Sequence, residues 1–209
     1  MAEAGRVVAG SAKGLRLSAP GPGTRPFSDR MKQILFAILE PDLAGSVVLD
    51  LFAGSGGGAI EALSRGAERA VLVEHDGSAA RVVGENLKKT GFGSGQAHVV
   101  RRDALAYLRD DADGDGPFDI VILDPPYART DLLTAALEIL GNPAAGLLTP
   151  AAIVVAAYHW RQPPPEVSGL LASERERRIG ESTLRFYEVR LDAGSPPERE
   201  HAEPDQEDR

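Results

Sequence analysis

The sequence predicts an α/β fold. A mostly parallel sheet is wrapped by helices, an antiparallel hairpin closes its C-terminal side, and a short β-hairpin arm precedes it. Three observations carry this. Apolar strand-like runs alternate with helical stretches between residues 46 and 157, the pattern of successive βα units. Val47, Val48, Leu49 and Asp50 run through glycines into a helix, the way a parallel strand feeds its crossover. The run Phe118 to Leu123 stops at Pro125 and Pro126, whose fixed φ and missing N–H end a strand.

The elements follow in order. Arg6 to Ala9 and Leu15 to Ser18 form a hairpin around Gly10, Lys13 and Gly14. Residues 20–26 are too rich in proline and glycine for regular structure. Ser28 or Asp29 caps a helix to about Leu39, with Met31, Ile34, Leu35 and Ile38 on one face, Lys32 off it, and Pro41 ending it. Strands are expected over 46–51, 69–74, 97–101, 118–123 and 151–157, with helices over 57–65, 77–90, 104–110 and 130–140 between them. Segments 171–179 and 183–191 read as the closing antiparallel pair around Gly180. Three regions result: an arm over 1–27, a main domain over 28–191, and a tail over 192–209. The tail is nearly free of apolar residues and is expected to be disordered.

Composition narrows the function. At 209 residues and 43% hydrophobic, the chain suits one domain with additions. It has no cysteine, which excludes disulfides and thiolate metal sites and suits an intracellular setting. The four histidines show no ligand spacing and the apolar runs are short, so a soluble cytoplasmic monomer without metal is expected. The formal net charge of -8 is uneven: residues 1–36 carry +4, residues 37–191 carry -7 and residues 192–209 carry -5. Arg6, Lys13, Arg16, Arg25 and Arg30 thus form a basic arm on an acidic body, a distribution suited to touching phosphate.

The chemistry gathers at strand ends. Phe52, Ala53, Gly54, Ser55 and Gly56 let a ligand approach the backbone next to a helix start. Glu74, with His75 after it, ends the second parallel strand 20 residues past Gly54, where a carboxylate accepts from two ribose hydroxyls. Asp103 before Ala104 is placed to accept from an adenine amino group. With Asp50 and Asp124, four acids fall at the carboxyl ends of four successive parallel strands, the ligand-binding edge of such sheets. An acid-lined edge repels a pyrophosphate and favours a sulfonium, so S-adenosylmethionine is the expected cofactor. Gly54, Gly56 and Ala59 also fit the dinucleotide pattern, so NAD remains an alternative, and Asp50 and Asp103 could each simply cap the next helix. In Asp124-Pro125-Pro126-Tyr127, the carbonyls of Asp124 and Pro125 can accept from an amino group and Tyr127 can stack on a base.

These residues resemble amino-directed class I, Rossmann-like methyltransferases with an Asp/Asn-Pro-Pro-aromatic motif. More narrowly, Arg6-Val-Val-Ala-Gly10, Lys13-Gly14, Thr24-Arg25-Pro26, Ser28-Asp29-Arg30, Asp50-Leu-Phe-Ala-Gly-Ser-Gly56 and Asp124-Pro-Pro-Tyr127 resemble the bacterial 16S rRNA guanine-N2 methyltransferase family, RsmD. The resemblance covers residues 5–191. It implies methyl transfer from S-adenosylmethionine to N2 of a guanine in the 16S rRNA of the small subunit, guanine 966 by that resemblance. Asp124, Pro125 and Tyr127 would be catalytic, with the arm on rRNA. Phe27 and the acidic tail depart from the family pattern. DNA adenine, protein glutamine and non-catalytic RNA binding remain alternatives.

Overall fold

A computed structural model describes residues 3–21, 27–110 and 112–190. Arg25 and the acidic tail therefore lie outside the described residues. The elements are β1 (Glu3–Arg6), β2 (Arg16–Ser18), α1 (Asp29–Leu43), β3 (Val47–Asp50), α2 (Gly57–Ser64), β4 (Arg69–Val73) and α3 (Gly77–Thr90). There follow β5 (Ala97–Val100), α4 (Ala104–Asp110), β6 (Phe118–Leu123), α5 (Thr130–Leu140), β7 (Leu148–His159), β8 (Val167–Ser168), β9 (Leu171–Ile179) and β10 (Ser182–Val189). Among the described residues no helix is long and apolar enough to cross a membrane.

One sheet has the strand order β5-β4-β3-β6-β7-β10-β9-β8, and β1 pairs with β2 apart from it. Strands β3 to β7 are parallel, whereas β10, β9 and β8 continue the sheet antiparallel. The chain steps outward from β3 through β4 to β5 and then returns to place β6 on the other side of β3. The carboxyl ends of β3 and β6 thus flank the switch point where open α/β sheets bind ligands.

Both sheet faces are covered, which is why these strands are almost continuously apolar. Val48, Ile120 and Ile122 pack with α1, α2, α3 and the arm, while Leu49, Val121 and Leu123 pack with α4 and α5. That alternation is the two-residue period of a strand.

Five details differ from the sequence expectation. The first arm strand is Glu3–Arg6 rather than Arg6 to Ala9, because the N–H groups of Val8 and Ala9 donate to the Glu61 carboxylate at 2.7 and 2.9 Å instead of across the hairpin. Helix α1 passes through Pro41 to Leu43, since a proline this near the C-terminus removes one intrahelical donor and little more. Its buried face is turned: Phe36 and Leu39 are inside, while Ile34 and Ile38 are half-buried. Lys32 is buried too, its Nζ donating to the Arg6 carbonyl and lying 3.8 Å from Asp29 Oδ1. Finally, β7 is extended at both ends and the two-residue strand β8 adds an edge.

The arm is fixed to the domain by side chains of α2 and α3. Glu61 is fully buried and also accepts from Arg65 Nε at 2.9 Å. Ser64 Oγ accepts from Ala12 N–H at 2.9 Å and donates to the Ala9 carbonyl at 2.6 Å. Gly10 sits so close that a Cβ there would lie 1.7 Å from the Ser64 carbonyl oxygen. Ala4, Val7, Ala12 and Leu17 of the arm join the main core.

Candidate active site

The glycine loop is stitched to both neighbouring strand ends. Leu51 N–H donates to the Ile122 carbonyl at 3.1 Å and Ala53 N–H to the Val73 carbonyl at 3.0 Å. Phe52 is half-buried and packs against the second core cluster. Gly54 and Gly56 adopt φ of +55° and +78°, the left-handed region glycine enters at no steric cost. Gly56 caps α2 in that conformation, and a Cβ there would press on Ile60, Leu72 and Val83 at 3.2 to 3.3 Å.

The four acids occupy four different environments. Asp50 is 3% exposed and its Oδ2 accepts from Ala59 N–H at 3.0 Å. Gly58 makes this possible, since a Cβ there would lie 2.9 Å from that oxygen. Burial pushes the Asp50 carboxyl up to about 7; the Ala59 N–H opposes the rise and the Glu74 charge adds to it. Asp50 is therefore an internal support of the loop and only a partial negative charge at neutral pH.

Glu74 follows β4 directly. Its Oε2 accepts from Gly54 N–H and its Oε1 from Asp76 N–H, both at 2.9 Å, with His75 Nδ1 3.1 Å from Oε1. Each oxygen of a carboxylate can accept about two hydrogen bonds, so Oε2 retains room for one more donor, while Oε1 already meets Asp76 N–H and the His75 ring. The His75 ring itself is 79% exposed. Asp103 is exposed, and its Oδ1 accepts from Ala106 N–H at 2.9 Å at the start of α4, beside the buried Ala104.

Asp124 follows β6, half-buried between the ends of β3 and β7. Pro125 is buried, Pro126 is exposed and accepts from Arg129 N–H at 2.7 Å, and Tyr127 is half-buried. The Tyr127 hydroxyl donates to Ser182 Oγ on β10 at 2.8 Å, and the His159 ring meets the Tyr127 ring edge-on at 6.4 Å. The far end of the tyrosine ring is thus held by an element more than fifty residues along the chain.

Of the arm's expected phosphate-binding cations, two among the described residues are ion-paired. Arg6 Nε donates to Asp29 Oδ2 at 3.0 Å, and Arg16 pairs with Glu3 at 2.6 Å. Lys13 and Arg30 are exposed. Glu3 of the arm and Asp29 at the start of α1 therefore take up two of its arginines.

A family model described as conserved hypothetical protein 95 matches residues 5–188. Ribosomal RNA small subunit methyltransferase D of Escherichia coli strain K12 is 33% identical over 184 residues, covering 88% of this chain and 89% of that one. The chain belongs to the RsmD family. The solved structure of Escherichia coli yhhF superposes with a TM-score of 0.77 at 32% identity, over 88% of this chain and 97% of its own. An RNA methyltransferase from Salinibacter ruber, solved in complex with S-adenosyl-L-homocysteine, shares the class I fold at TM-score 0.61 and 17% identity, covering 82% of this chain and 97% of that one.

Within this RsmD chain, the structure brings the glycine loop, Glu74 and the Asp124 tetrapeptide to one edge of the sheet and sets Asp50 beneath them. Sequence reading missed Glu61, Asn86 and Ser182, which hold the loop, the arm and Tyr127 in place. A polar residue on an otherwise apolar helix face was the available signal for Glu61 and Asn86. Ser182 carried none, because its role depends on β10 lying beside β7.

Proposed function

We propose that this RsmD-family chain transfers a methyl group from S-adenosylmethionine to the exocyclic N2 of a guanine in 16S rRNA of the small ribosomal subunit. The observation that carries this is the placement of Asp124-Pro125-Pro126-Tyr127 at the end of β6 directly beside the glycine loop that ends β3, across the switch point of the sheet. The name of the E. coli relative supports the rRNA substrate.

The residues fit the cofactor. Half-buried Gly54, with φ of +55°, carries no side chain to block close approach, and Glu74 Oε2 has an acceptor position left for a ribose hydroxyl. Asp103 stands at the edge to accept from an adenine amino group. When bound, S-adenosylmethionine supplies an electrophilic methyl on a sulfonium that departs as a neutral thioether.

The protein's own share is alignment and electrostatics. A guanine amino group is a weak nucleophile because its lone pair is delocalised into the ring. Asp124 and the Pro125 carbonyl accept its two hydrogens, hold it toward the methyl and stabilise the positive charge that builds on nitrogen. The methylated amine is strongly acidic, so its surplus proton leaves through Asp124 or water. Tyr127 stacks on the extruded base, a contact worth about 1–3 kcal/mol. Its ring is pre-set by Ser182 and His159, so little ordering remains to be done on binding.

In this reading Lys13 and Arg30 contact rRNA phosphates, with Arg25 assigned the same role, while Arg6 and Arg16 shape the arm through their ion pairs. The enzyme acts as a monomer in the cytoplasm, where its subunit substrate is. Mapping of 2-methylguanosine in 16S rRNA from cells with and without the gene tests the proposal. A single guanine losing its methyl group supports it, and identical maps contradict it.

A further inference from the structure

The aromatic surface does not end at Tyr127. His159 stands edge-on to Tyr127, and Trp160 stacks on His159 with 6.2 Å between ring centroids and 30° between planes. Two guanidinium groups lie over the Trp160 ring, Arg161 at 4.8 Å and Arg178 at 4.1 Å from its centroid. Backbone geometry fixes the group. Trp160 N–H donates to the Glu181 carbonyl at 3.1 Å, Arg178 Nε donates to the Gly180 carbonyl at 3.0 Å, and Arg161 N–H donates to His159 Nδ1 at 3.3 Å.

Three features of this cluster ask for an anion. Arg161 and Arg178 are both exposed, and among the described residues neither pairs with a carboxylate, unlike Arg6, Arg16, Arg65, Arg129, Arg185 and Arg190. Two like charges gathered on one ring repel each other, in a chain whose net charge is -8. Trp160 is 38% exposed, among the few large apolar side chains so open. A guanidinium held over an aromatic face has lost part of its freedom already, and its remaining N–H groups can meet a planar or tetrahedral oxyanion.

The position names the source of that anion. His159 ends β7, whose Ala156 pairs with Leu123 just before Asp124, and it faces Ser182, the partner of the Tyr127 hydroxyl. The cluster is therefore continuous with the shelf assigned to the extruded guanine, on the same sheet edge. We infer that Trp160, with Arg161 and Arg178 stacked on it, grips the phosphates of the single-stranded RNA segment adjoining that guanine. This rests on the rRNA reading given above. It adds a contact on the β7 side of Asp124, across β6 from the glycine loop that follows β3.

The test compares wild type, Trp160→Leu, Trp160→Phe and the double variant Arg161→Gln/Arg178→Gln. Binding to unmodified small subunits and to protein-free 16S rRNA is measured from low to moderate salt, with S-adenosylhomocysteine affinity measured by calorimetry. The double variant should bind both RNAs roughly tenfold more weakly or worse, as for lost charge-assisted hydrogen bonds. Its salt slope should fall by about 1.4, since each single-strand phosphate contact contributes about 0.7. Trp160→Leu should follow it and Trp160→Phe should recover much of the loss, with cofactor affinity unchanged throughout. An unaltered salt slope overturns the inference. So does a loss confined to intact subunits, which would make the partner a ribosomal protein. If wild type itself fails to bind or methylate either RNA, the functional reading fails instead, and the two failures are distinguishable.

Discussion

The Asn86 side-chain amide donates to the Ser55 carbonyl at 2.9 Å from a position of complete burial on α3. The same side chain receives Ser18 N–H at 2.8 Å and donates to the Ser18 carbonyl at 3.0 Å. One residue thus joins the arm to the glycine loop, and the element proposed to meet rRNA shares a support with the element proposed to meet the cofactor.

Replacing Asn86 with Ala should leave buried or half-buried backbone groups at Ser18 and Ser55 unmet. Three groups lose their partner, each at about 1–3 kcal/mol if it stays dry, so urea unfolding should show a loss of about 3 kcal/mol or more. Hydrogen exchange at the Ser18 amide should speed up, and S-adenosylhomocysteine should bind more weakly. Unchanged stability would mean that the amide does not bridge the two segments.

Glu61 is the arm's second anchor. Its removal takes the buried partner from Arg65, whose side chain is only 10% exposed and keeps only the exposed Glu40, and frees the N–H groups of Val8 and Ala9. Breaking a buried pair by deleting one partner typically costs about 3–5 kcal/mol, and Glu61→Ala should fall in that range. Limited proteolysis should then cut within residues 3–18 first, whereas a wild-type cleavage pattern would argue against this anchoring.

Asp50 gives the fold a pH signature with a definite sign. The folded carboxyl holds its proton up to about pH 7, whereas in the unfolded chain it ionises near pH ~4. The stability tied to that proton is complete below the unfolded value, declines as pH rises through the folded one, and is flat above it. Asp50→Asn, which keeps an oxygen for Ala59 N–H, should match wild type near pH 4 and exceed its melting temperature at pH 8. Parallel curves for the two proteins would show that Asp50 is ionised throughout.

At Tyr127 the ring and the hydroxyl have separate tasks. Tyr127→Phe keeps the stacking face and loses the bond to Ser182, so KM for the small subunit should rise modestly. Tyr127→Ala removes the face itself and should cost about 1–3 kcal/mol in kcat/KM. Equal losses in the two variants would place the function in the hydroxyl instead.

The parallel core was legible because each strand is buried on both faces and reads as an apolar run. Helices α3, α4 and α5 were legible to the residue, helped by Asp76 and Gly91 around α3, Asp103 before α4 and Gly141 after α5. Family motifs pointed to the candidate site edge for the same reason, since glycine and proline declare backbone geometry directly. What stayed hidden depends on contacts between distant segments. Val8 and Ala9 look like strand residues, yet a carboxylate on α2 takes their N–H groups. Lys32 looks like a solvent-facing cation, yet the Arg6 carbonyl draws its ammonium inside. Asp50 looks like one of four equal acids, and only packing shows that it turns inward while Glu74 stays at the edge. The Trp160 cluster joins residues of β7 and β9 that come together only because β10 lies between them.

The account rests on Asp124 as the group that receives the guanine amino hydrogens. Methyl transfer from labelled S-adenosylmethionine to small subunits lacking the modification, measured in a single turnover for wild type and Asp124→Ala, tests this most directly. The account predicts a loss of about a hundredfold or more, the scale set by removing one transition-state partner, with S-adenosylhomocysteine still bound by calorimetry. Transfer by Asp124→Ala at the wild-type rate would contradict it.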